Sequence, residues 1–183
     1  MAETYISLYR RAANDGVPMG IFMSVMAAAL IYADRLPWLV VVVMAMLLML
    51  PCMLYYFQRK MFVAEYGFTE YSGLWMLGIL IMICASLITG LVTWAIFQFV
   101  RPGYFYEMAQ RGIAFYNAAG DPQSRETAAM LTRVVSGNML PRPIEMVFSA
   151  FWLWSFVGSL LSAVVALVVK KVPLGQQPYH RAE

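Results

Sequence analysis

Histidine occurs once in this chain, as His180, and cysteine twice, as Cys52 and Cys84. With its one imidazole in the C-terminal tail, the chain has no histidine-built metal site and no Ser-His-Asp triad in its apolar body. No catalytic motif replaces them, and neither a metal nor a cofactor is expected. Both cysteines lie in apolar runs, Cys52 near the end of one and Cys84 nearer the middle of the next. That placement argues for two free thiols acting as small packing side chains. Charge is scarce as well: 13% of the 183 residues are Asp, Glu, Lys or Arg, against 62% hydrophobic. A chain this apolar does not suit water as its only solvent. The net charge of +3 is modest and its basic residues fall largely in juxtamembrane pairs, so no nucleic-acid partner is expected.

What fills the chain is lipid-compatible sequence. Gly73 to Val100 has no Asp, Glu, Lys or Arg and stops at Arg101-Pro102-Gly103. As a helix it would reach roughly 42 Å, enough to cross a hydrocarbon core of about 30 Å with tilt. Three further runs qualify, Gly16–Ala33, Leu36–Phe57 and Ile144–Val169. The first has no cleavage-site pattern and is expected to stay in the mature protein. Pro37 suits the first turn of the second run, and Pro51 should kink that run's inner end. The fold expected is all-α, a single membrane domain over residues 1–183 with four transmembrane helices running up-down-up-down. No run alternates as a barrel strand would, and an open sheet edge is untenable in hydrocarbon.

The remaining segments are short. Residues 1–15 carry Tyr5, Leu8, Tyr9 and Ala12 at helical spacing, an amphipathic segment for the interface with Arg10 and Arg11 at the headgroups. Gln58 to Ser72 reads as an interfacial connector, with charged side chains snorkelling among aromatic rings. Residues 101–143 form the one sizeable extramembrane insert, divided into two short amphipathic, interfacial helices, Tyr104–Ala119 and Arg125–Val135. Gly120 stops the first, Asp121 and Pro122 start the second, and Gly137-Asn138 to Pro141-Arg142-Pro143 ends it. A polar tail occupies 170–183.

Small and hydroxylated residues mark where helices should meet. Gly16, Gly20, Ser24 and Ala28 recur every four residues; Ser86, Thr89, Gly90 and Thr93 share a face; Ser155, Ser159 and Ser162 form a third. Such stripes allow close backbone approach where lipid supplies no hydrophobic drive, whether the partner helix belongs to this chain or to another subunit. The aromatic start of the fourth span, including Trp152 and Trp154, suits an interfacial belt or a groove for a lipid chain or sugar. Basic pairs Arg10-Arg11, Arg59-Lys60 and Lys170-Lys171 abut span ends on the side that holds both termini. The opposing arginines are mostly scattered through the insert, so both termini are expected in the cytoplasm.

Four stretches together carry a family resemblance. They are Gly16-Val17-Pro18-Met19-Gly20; the connector from Tyr56-Phe57-Gln58-Arg59 to Tyr71-Ser72-Gly73; Phe99-Val100-Arg101-Pro102-Gly103-Tyr104-Phe105; and Ser162 through Lys171. Over nearly its whole length the chain resembles the bacterial membrane family called domain of unknown function 4199. The resemblance implies a four-helix, multi-pass inner-membrane protein with no established activity and no assigned functional residues. It also implies proximity to a membrane-associated glycosyltransferase. The chain departs from the family's pattern in a short linker between the two outer helices and in its Arg-Pro-Gly exit.

No Asp, Glu, Lys, Arg or His stands in the apolar body of any expected span, which removes what proton relays and ion pathways normally use. A non-enzymatic subunit or scaffold, binding membrane lipids and another membrane protein or a second copy of itself, is therefore the leading reading. The candidate surface comprises Arg101, Tyr104, Phe105, Arg111, Tyr116, Arg125 and Arg133, with Trp152 and Trp154. The alternative is a small oligomeric transporter, channel or lipid-handling protein, with Ser86, Thr89 and Thr93 facing Ser155, Ser159 and Ser162 along the pathway. An enzyme on a lipid-linked substrate would have only Glu107, Asp121, Glu126 and Glu145 as acid–base groups, none paired at a motif spacing.

Overall fold

A computed structural model describes residues 7–65, 67–137, 139 and 142–172. Tyr5, Asn138, Pro141, His180 and most of the expected polar tail lie outside the described residues. Among those described there are six α-helices, one short π-helical turn and no strand: α1 (Leu8–Tyr32), α2 (Leu39–Ala64), α3 (Tyr71–Ala95) running into the π turn Ile96–Val100, α4 (Tyr104–Ala119), α5 (Pro122–Ser136) and α6 (Pro143–Lys171). Four of them, α1, α2, α3 with its π turn, and α6, are long and apolar enough to cross a membrane. The chain divides into two compact units, Met1–Gly90 with Ala150–Glu183, and Leu91–Ser149.

In the first unit the helices are longer than their apolar runs. The expected interfacial segment and first span are one helix, capped by Ser7, whose hydroxyl accepts the backbone N–H of Arg10 at 3.4 Å. Pro18 lies inside it without ending it, as membrane helices tolerate. Likewise α2 passes through Pro51 and continues to Ala64, so Gln58 to Ala64 are helical and the connector shrinks to the residues around Gly67. The charges that suggested a connector are taken up by neighbouring helices. Lys60 meets Asp15 at 3.0 Å and Arg11 meets Glu65 at 3.3 Å, while Thr69 donates its hydroxyl to the second oxygen of Glu65 at 2.6 Å. Arg59 donates to the carbonyls of Val169 and Val172 at the end of α6.

The core of this unit is built from Met19 and Met23 of α1, Leu54 of α2, Leu74, Leu77, Ile81 and Met82 of α3, and Ala166 and Val169 of α6, all fully buried. By contrast Val40, Val41, Met44 and Leu48 of α2 stand exposed, as a face turned to lipid would. Glycine decides how closely helices approach. A Cβ on Gly16 would lie 2.7 Å from Cys84 Cβ, and one on Gly20 would lie 2.9 Å from Ile88 Cβ. The partner of the first small-residue stripe is therefore α3 of the same chain. Cys52 and Cys84 are both free.

In the second unit, α4 and α5 form a helical hairpin. Gly120, at φ 80°, closes α4 in the left-handed conformation that glycine adopts without steric cost. Asp121 takes the N-cap position of α5 with an extended backbone, accepts the hydroxyl of Ser124 at 2.7 Å, and is followed by Pro122 in the first turn. The seam runs past Gly112 and Leu131, whose Cδ1 would be 3.5 Å from a Cβ on that glycine.

Candidate functional site

Two groups of polar residues stand out, one in each unit. In the first unit the polar chemistry is gathered along the seam joining α2, α3 and α6. Gln58 is fully buried, and its Nε2 donates to Ser162 Oγ at 2.9 Å and to the Ser162 carbonyl at 3.3 Å. Ser162 Oγ in turn donates to the Trp75 carbonyl at 3.0 Å. Alongside, Trp75 Nε1 donates to the Ser159 carbonyl at 3.1 Å and the Tyr71 hydroxyl to the Ala163 carbonyl at 3.3 Å. The arrangement needs Gly78, because a Cβ there would overlap Ser162 Oγ and come within 2.5 Å of Gln58 Nε2. Gln58 Oε1 and Ser155 Oγ are buried with no hydrogen-bond partner.

Most of the packing residues read from the sequence lie in or beside such seams. Gly16, Gly20 and Ser24 are buried and Ala28 is half-buried; Ser86 and Thr89 are buried, Gly90 and Thr93 half-buried; Ser162 is buried, Ser155 and Ser159 half-buried. The hydroxyls are largely consumed by backbone. Ser24 donates to the Gly20 carbonyl, Ser86 to Met82, and Thr89 both to Ala85 at 2.8 Å and across to Gly20 of α1 at 3.3 Å. Gln58 was missed by the sequence reading because it falls one residue past an apolar run. The signal available was the lack of any helix breaker between Phe57 and Gly67, which keeps Gln58 in register with the core face of α2.

The second unit holds the expected outer surface. Arg111, Arg125 and Arg133 are exposed, Tyr104, Phe105 and Tyr116 are half-buried, and Arg101 is buried. Arg101 follows directly on the π turn, and its N–H closes that turn onto the Ile96 carbonyl at 2.8 Å. Its guanidinium meets Glu107 at 2.7 Å and lies 5.0 Å from the centre of the Tyr104 ring. Phe97 packs on Tyr104 and Phe105 at centroid distances of 5.3 and 4.7 Å. Arg101 thus fixes the exit from α3 into α4 instead of offering its charge outward. Trp152 is exposed and Trp154 half-buried, both in the part of α6 that belongs to the first unit. No group of three or more His, Cys, Asp or Glu side chains that could hold a metal occurs among the described residues.

Residues 14–171 match the family model described as protein of unknown function (DUF4199), and the chain belongs to that family. No curated protein and no solved structure matches it.

Proposed function

We propose that this member of the family is a non-enzymatic subunit or scaffold of a larger inner-membrane assembly, and that it works by binding another membrane protein. The observation that carries the reading is where the polar groups go. In the first unit Gln58, Ser162, Thr89, Ser86 and Ser24 hydrogen-bond to backbone or to each other along helix seams, whereas Arg111, Arg125 and Arg133 of α4 and α5 stand exposed. The same hydrogen bonds weigh against Ser86, Thr89 and Ser162 as the lining of a pathway.

In this reading the four long helices run up-down-up-down. Support comes from the contacts of Asp15 and Arg11 near the start of α1 with Lys60 and Glu65 near the end of α2, and of Arg59 with the end of α6. Both termini then share a side, which the basic pairs place in the cytoplasm, and α4 and α5 lie on the outer membrane surface. Arg111, Arg125 and Arg133 are the exposed basic residues of this surface; Arg125 is the contact for the companion, and a membrane-associated glycosyltransferase is the first companion to seek.

The test is purification from native membranes in mild detergent followed by mass spectrometry, for the natural chain and for a variant with Arg111, Arg125 and Arg133 all replaced by Gln. A stoichiometric companion lost from the variant at unchanged abundance supports the scaffold. A natural chain that purifies with no companion at all refutes it.

A further inference from the structure

The α4–α5 hairpin has two unlike sides. Met108 and Phe115 are seven residues apart, so about 20° apart around α4, and are 61% and 70% exposed. They stand roughly a quarter turn from the half-buried row Phe105, Ala109, Gly112 and Tyr116, in which Gly112 meets Leu131 of α5. On α5, Met130 precedes the seam residue Leu131 and so projects about 100° from it; it is 59% exposed. Because the two right-handed helices run antiparallel, that rotation brings Met130 to the same side of the hairpin as Met108 and Phe115. The outer edges of this strip carry Arg111 on α4, 4.0 Å from Glu107, and Arg133 on α5 with Glu126 seven residues before it, while Gln123, seven residues before Met130, shares the strip's α5 side; all are exposed. The opposite side presents Tyr106, Gln110, Asn117, Arg125 and Thr132, where Gln110 donates to the Tyr106 hydroxyl at 2.8 Å.

We infer that the strip Met108, Phe115 and Met130 is a lipid-binding face, seated in the interface of a phospholipid bilayer with Arg111 and Arg133 beside the phosphates. This deepens the proposal that α4 and α5 lie on the membrane surface and rests on it. Two observations select lipid as the occupant. Phe99 and Val100, both exposed at the end of a membrane-spanning helix, are separated from α4 by only Arg101 to Gly103, so within the same unit the hairpin starts where that apolar exterior ends. And three side chains of this size and exposure offer roughly 400 Å², about half of the ~800 Å² per partner found in a stable protein–protein interface. Apolar side chains rimmed by arginine, with a polar opposite side, are what an interfacial helix needs to sink about 5–10 Å into the headgroup boundary. The polar side, with Arg125, then faces water and remains available to the companion.

The test uses the full chain with Cys52 and Cys84 changed to Ala, which keeps the Cβ of Cys84 against Gly16. Single cysteines at 108, 115 and 130, and as controls at 110, 117 and 132, are labelled with an environment-sensitive fluorophore. The protein is reconstituted in vesicles of phosphatidylcholine and phosphatidylglycerol. Lipids brominated in the upper acyl chain should quench the first three labels at least about twofold more than the controls, and aqueous iodide should show the reverse order. Equal iodide access at all six sites overturns the inference, as does lipid quenching confined to the controls. Labels at 108, 115 and 130 shielded from both quenchers would mean that protein covers the strip, and also overturns it. Since quenching is read on the isolated chain, it fails or succeeds independently of whether a companion co-purifies.

Discussion

Gly78→Ala adds one methyl group at the point where three helices share a hydrogen-bonded seam. The new Cβ would overlap Ser162 Oγ and sit 2.5 Å from Gln58 Nε2 and 2.8 Å from Ser162 Cβ. The amide can swing away, but Ser162 Cβ is fixed to the α6 backbone, so α3 and α6 must separate. Overpacking of this kind costs about 1–3 kcal/mol. Separation also lengthens the Gln58 to Ser162 and Ser162 to Trp75 hydrogen bonds, each worth about 0.6 kcal/mol in a membrane interior and at most ~1.7. Together the loss is roughly 2–4 kcal/mol. It is read by reversible unfolding in mixed micelles titrated with SDS and followed by far-UV circular dichroism, at constant detergent concentration. Ser162→Gly removes both serine atoms in the way, so the double variant should lose at least about 1 kcal/mol less than the sum of the two single losses. A Gly78→Ala protein within about 0.5 kcal/mol of the natural chain, or strictly additive variants, would refute the reasoning.

The same titration reports on two other contacts. Gly20→Leu drives its side chain into Ile88 and parts the Gly20 carbonyl from Thr89, with an expected loss of about 1–3 kcal/mol; no loss would mean that α1 does not rest on α3 there. Leu54→Ala, at a side chain with no exposure, should cost about 2 kcal/mol or more, whereas Leu48→Ala, 72% exposed, should stay within about 0.5 kcal/mol; equal losses would contradict the burial pattern. For orientation, Asn117→Cys in the Cys52→Ala, Cys84→Ala background should react with an impermeant maleimide on intact cells, and reaction only after permeabilisation would reverse the assignment.

The membrane-spanning helices were legible because apolar runs of this length leave few alternatives. Their ends were not, and the reason is pairing. Lys60 and Glu65 read one at a time as charges of an interfacial connector, and Arg11 as a headgroup contact, yet Lys60 pairs with Asp15 and Arg11 with Glu65 between helices, a fact that resides in no local stretch. Gly16 and Gly20 announced a close approach, but only the fold could name Cys84 and Ile88 as what approaches. Ser162 was readable as part of a small-residue face; Gln58, its partner, carried no periodic signal of its own. Arg101 misled in the opposite direction: beside a proline and a glycine it suggested an open surface, whereas Glu107 and Tyr104, on the first turn of the next helix, hold it inside.

The bond between Gln58 and Ser162 joins residues 104 positions apart. During synthesis at about 5–20 residues per second, the amide is made roughly 5–20 s before the hydroxyl that will receive it. Once α3 has followed, α1, α2 and α3 exist without α6, and an uncapped amide faces the groove that the last helix will fill. A nascent chain in this state displays a polar handle among apolar helices, which water, a headgroup or an insertion chaperone must hold. Arrival of α6 withdraws that handle, so the finished protein and any chain truncated before Ser162 differ in whether the Gln58 amide has Ser162 as its acceptor.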